Sequence, residues 1–78
     1  MKNYRKTKFY KSLDSYLATA YAEGFCEGEN ATEEEQLTAW QYISDNGLHS
    51  QLQGWFGRMV YNLLEEGLIS PKEENHIS

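Results

Sequence analysis

The densest apolar run lies between Leu48 and Ile69, where Leu48, Leu52, Trp55, Phe56, Met59 and Leu63 recur at three- and four-residue steps. That spacing gathers side chains on one face of a helix. Val60 and Leu64 widen the face, so the pattern predicts a largely buried helix over 48–66. Gly67, with Ser70 and Pro71 beyond it, supplies the stop. Two earlier segments carry the same period. Leu13, Tyr16, Leu17, Ala20 and Tyr21 predict a helix over 12–24, opened by Ser12 as N-cap with Asp14 in its first turn and closed by Gly24. Leu37, Ala39, Trp40 and Ile43 predict a helix over 33–46. Thr32-Glu33-Glu34-Glu35 before it reads as a capping box, and Asp45-Asn46-Gly47 ends it.

The elements add up to an all-α fold, a small three-helix bundle with a basic N-terminal arm. Residues 1–11 form the arm, 12–70 a single helical domain and 71–78 a polar tail. Tyr4, Phe9 and Tyr10 are the arm's available anchors. Residues 25–31 carry Gly28 and Asn30 without periodicity and read as a loop with Phe25 tucked inward. Ile43…Gly47-Leu48 and Leu63…Gly67-Leu68 both fit a Schellman close, in which the residue after glycine folds back onto the last turn. The predicted core is Leu13, Leu17, Tyr21, Phe25, Leu37, Trp40, Ile43, Leu48, Leu52, Trp55, Phe56, Met59, Leu63 and Leu68. Gly54 and Gly57 are anomalous, because each costs about 1 kcal/mol relative to alanine inside a helix. Close packing by another helix is the first explanation. A break between 48–53 and 55–66, or a surface that receives a partner, are the others.

Seventy-eight residues allow one domain and one core. Two Trp, three Phe and six Tyr enlarge what that core can bury, and leave aromatic area for a partner or a homodimer. Cys26 is the only cysteine, so no disulfide staples the chain. With no secretory signal and no apolar run near the length of a membrane span, the expectation is a soluble cytoplasmic protein without membrane contact.

Charge changes the picture more. The net charge is −5, yet Lys2, Arg5, Lys6, Lys8 and Lys11 precede every acidic residue, and only Arg58 and Lys72 follow. The chain is a short basic arm on an acidic body. Glu23, Glu27, Glu29, Glu33, Glu34 and Glu35 crowd one region without the alternating ligands and glycine of a calcium loop. Helix-dipole compensation and solvation explain much of that crowding, and docking on a basic protein surface is the functional alternative. Catalysis finds little footing, since Cys26, His49 and Asp45 have no spacing that assembles a nucleophile. The expectation is no enzyme, no cofactor and no metal. A helix-turn-helix outline is the rival reading, with helix 33–46, a turn at Asn46-Gly47 and a recognition helix opening with His49, Ser50, Gln51 and Gln53. Lys2, Arg5, Lys6, Lys8 and Arg58 are then the phosphate contacts, against the repulsion of an acidic body.

Tyr21, Gly24, Gln41-Tyr42-Ile43, Gly47-Leu48, Leu52-Gln53-Gly54-Trp55-Phe56-Gly57-Arg58, Leu63-Leu64 and Gly67-Leu68 together resemble the pattern of a group of small uncharacterised bacteriophage proteins. The likeness spans about 21–69. The chain departs from it at Asp45-Asn46-Gly47, where members often carry Asp-Thr-Gly, and at Ile69, where they often carry cysteine. The resemblance implies origin rather than activity. By analogy it implies a non-enzymatic modulator of a host protein. The partner-binding residues expected on this reading are Glu27, Glu29, Glu33, Glu34, Trp55 and Arg58. The alternatives are the nucleic-acid binder and a self-assembling protein in which basic arm meets acidic body.

Overall fold

The computed structural model describes residues 3–48 and 54–71, all of whose regular structure is helical. Four α-helices run over Lys8–Ser12 (α1), Ser15–Glu23 (α2), Glu33–Asp45 (α3) and Gly54–Glu65 (α4). Short 3-10 turns occupy Tyr4–Lys6 and Cys26–Gly28.

The all-α expectation holds, and the single helix over 12–24 does not. Leu13 (φ −78°, ψ 152°) and Asp14 (φ −135°, ψ −176°) are both extended and separate α1 from α2. The reason is local chemistry. Asp14 Oδ1 accepts from the Leu17 amide at 2.8 Å and takes the cap expected of Ser12, whose hydroxyl donates to the Phe9 carbonyl instead. An aspartate that caps must leave helical backbone angles. The capping box at Thr32 forms as expected, with Glu35 N–H on Thr32 Oγ1 at 3.1 Å and Thr32 N–H on Glu35 Oε1 at 3.0 Å.

Alanine sets the packing of α2 on α3. The buried residues of α2 are Ala18, Ala20 and Ala22, and Ala39 of α3 is fully covered. Small side chains let two helices approach closely. Ala18 and Ala22, one turn apart, join the main core with Ala39, Trp40 and Ile43. Ala20 is covered differently. The chain turns back after Gly24 and lays Cys26–Gly28 along α2, so close that a Cβ on Gly28 would stand 2.4 Å from the Ala20 carbonyl oxygen and 2.4 Å from Tyr21 Cα. Only glycine fits there.

α4 adds Phe56, Val60 and Leu63 to the core, and its contact with α3 runs through rings: Trp40 lies 5.5 Å from Phe56 and 5.9 Å from Trp55. Its end is a complete Schellman close, with Gly67 N–H on the Leu64 carbonyl and Leu68 N–H on that of Leu63. The residue returned to the core is Ile69, 1% exposed, rather than Leu68, which is 39% exposed. Phe25 also faces solvent (40%), and Trp55 is partly exposed (36%), against the inward placement expected of all three. Residues 49–53, including Leu52, lie outside the described residues, as does the question of how the expected helix begins at 48.

Among the described residues, nothing gives Gly54 or Gly57 a packing reason. Apart from the adjoining residues and the helix's own backbone, no atom of the described residues lies within 4 Å of a Cβ placed on Gly57, and the nearest to one on Gly54 is Arg58 Nη1 at 3.9 Å. The expected close helix contact is absent there among the described residues.

Candidate functional site

The basic arm lies against the body of the fold, and Phe9 and Tyr10, two of its three expected anchors, hold it there. Phe9 packs edge-on against Tyr21, ring centroids 4.8 Å apart, and Tyr10 against Tyr42 at 5.6 Å. Arg5 enters a polar cluster at the end of α3. Its Nε donates to Asp45 Oδ2 at 2.6 Å and its Nη2 to Oδ1 at 2.7 Å, the planar fork matching the carboxylate. The same Nη2 reaches the carbonyls of Ser70 and Pro71 at 3.0 and 2.9 Å, so its two N–H groups are shared among three acceptors. Tyr10 donates its hydroxyl to Asp45 Oδ2 at 2.7 Å.

Gln41 completes the cluster. Its Nε2 donates to Asp45 Oδ1 (3.1 Å) and to the Ser70 carbonyl (2.8 Å), while its Oε1 accepts from Ser70 N–H at 2.8 Å. The amide thus pairs with one residue of backbone as a neighbouring strand does. At 2% exposure, a glutamine without these bonds is expensive. Asp45 thereby receives four donors on two oxygens. Burial, then the bond to Asp45 and that carboxylate's charge, push the Tyr10 phenol well above its ordinary pKa. The cluster ties the arm, α3 and residues 70–71 into one knot, and each donor in it faces an acceptor.

The acidic residues sit elsewhere. Glu29 follows the Cys26–Gly28 turn, and Glu33 and Glu34 occupy the first turn of α3; all three are exposed. The side chain of Glu27 lies outside the described residues. Glu35 is spent on the capping box. Trp55 and Arg58 belong to α4, a different element, so the expected partner-binding set falls into two groups.

For the nucleic-acid reading, Arg5 is held by Asp45 while Lys6, Lys8 and Lys11 are exposed. Lys2, His49, Ser50, Gln51 and Gln53 lie outside the described residues, so the front of the recognition helix does too. Asp45, the acid nearest in sequence to His49, is committed to Arg5. Cys26 is exposed in left-handed backbone (φ 50°). Among the described residues no three His, Cys, Asp or Glu side chains gather as metal ligands, and no helix is long and apolar enough to cross a membrane.

Sequence reading missed Gln41 and Ser70 as partners. Gln41 stands one helical turn after Leu37 on the inner face, a buried-polar signal that was there to read. Arg5 and Asp45 are 40 residues apart, and nothing local in the chain announces that pairing. No family model, curated protein or solved structure matches the chain.

Proposed function

We propose that the chain is a non-enzymatic binding protein whose acidic end docks on a basic surface of another protein, modulating it. The observation that supports this is the exposure of Glu29, Glu33 and Glu34 within one short stretch at the start of α3, where helix dipole and loop hold them. The resemblance to small phage proteins makes a host-cell protein the target class. Neutralisation tests it. A tagged protein is used to capture partners from bacterial lysate with and without nuclease, alongside a Glu29→Gln/Glu33→Gln/Glu34→Gln variant that leaves the Glu35 cap intact. The expected result is a stoichiometric protein that survives nuclease and is lost with the variant. Capture that the variant leaves unchanged sinks the acidic-end reading.

One observation favours a second reading. Lys6, Lys8 and Lys11 remain exposed on the arm, and a partner that disappears with nuclease assigns the function to nucleic acid instead.

A further inference from the structure

α4 divides cleanly into two faces. Phe56, Val60 and Leu63 are buried, while Gly54, Trp55, Arg58, Tyr61, Asn62 and Glu65 are exposed. At 100° per residue these six fall within about 120° of arc. Trp, Tyr and Arg are the residues that dominate binding energy at interfaces, and Tyr61 is 61% exposed.

The order of charge along this face is informative. Arg58 finds Gly54 and Trp55 behind it and Tyr61 and Asn62 ahead at the helical neighbour positions, so no carboxylate on α4 is placed to pair with it. It makes no ion pair among the described residues; its guanidinium folds back over Gly54. Glu65 stands seven residues on, two turns along the same stripe and about 10 Å away, too far for Arg58 to reach. A cation and an anion two turns apart on one stripe, with Tyr61 and Asn62 midway, are self-complementary under a two-fold axis through that midpoint. An antiparallel second α4 sets Arg58 against Glu65 of the second copy, twice. It also brings Trp55 toward Leu68 of that copy, the exposed apolar residue just past the helix end.

We infer that the outer face of α4 is an isologous interface between two copies of this chain, paired antiparallel through reciprocal Arg58–Glu65 contacts. A single helix face is small, so the dimer belongs at the weak end of specific interfaces. This inference does not rest on the acidic-end reading, which uses other residues.

Sedimentation equilibrium of the full chain from about 10 μM to about 1 mM tests it. The native chain is expected to self-associate, and Arg58→Glu or Glu65→Arg alone to weaken association by about tenfold or more, with helical circular dichroism unchanged. An equimolar mixture of the two variants is expected to recover it, because each heterodimer holds two opposite-charge pairs. A native chain that stays monomeric at about 1 mM overturns the proposal. So does association indifferent to both single substitutions, or a mixture no tighter than its components.

Discussion

Asp45 shows how one side chain can be fully committed. Two oxygens take two bonds from Arg5, one from Tyr10 and one from Gln41, and removing any donor leaves a partly covered carboxylate short of a partner. The Tyr10 phenol has the opposite preference, because ionising it would set a negative oxygen beside Asp45. Its pKa is therefore raised on folding, chiefly by burial and then by that carboxylate. The sign follows directly. The folded state holds the phenolic proton more tightly than the unfolded chain, so this contribution to stability is complete below pH ~10 and falls as pH rises beyond it. A spectrophotometric titration of the six tyrosines is expected to show one component ionising only with alkaline unfolding, absent in Tyr10→Phe. A Tyr10→Phe profile that keeps this late component removes Tyr10 as its source.

Two glycines separate the forces acting on an element. Gly28 lies against the backbone of α2, so Gly28→Ala must push the turn off the helix and is expected to cost about 1–3 kcal/mol or more. Gly57 sits inside α4 with no packed neighbour among the described residues, so Gly57→Ala is expected to stabilise by about 0.5–1 kcal/mol through lower chain entropy. Urea unfolding of both variants checks the pair, and equal signs would show that one of these environments is misread. The same elements explain what was legible. The capping box, the stop at Gly67 and the buried stripe of Phe56 and Leu63 are local patterns, and they emerge where the sequence places them. The break at Leu13–Asp14 was missed because apolar spacing runs straight through it, and only the choice between Ser12 and Asp14 as cap decides the boundary. Leu68 and Ile69 changed places for a related reason: hydropathy ranks both as core, and the turn geometry after Gly67 selects one. Of the candidate site, the acidic stretch was legible as charge, but the fate of Arg5 depended on a residue 40 positions away.

At the scale of the molecule, the knot around Asp45 stands in for core that so short a chain lacks. Asp45→Ala strands the Arg5 fork, the Tyr10 hydroxyl and one Gln41 N–H together, and is expected to cost on the order of 2–3 kcal/mol, since Arg5 is partly exposed and water recovers some of the loss. A urea midpoint unchanged by that substitution would mean that the arm contributes little to the fold. The knot also has an order in time. Arg5 leaves the ribosome 40 residues before Asp45 and 65 before Ser70, so at about 5–20 residues per second the arm waits several seconds for its acceptors. Phe9 finds Tyr21 only 12 residues on, whereas the Tyr10 hydroxyl and the guanidinium lack their Asp45 acceptor throughout that interval. A late segment, residues 70–71, thus binds an early one, and the nascent arm is open to whatever meets it before then.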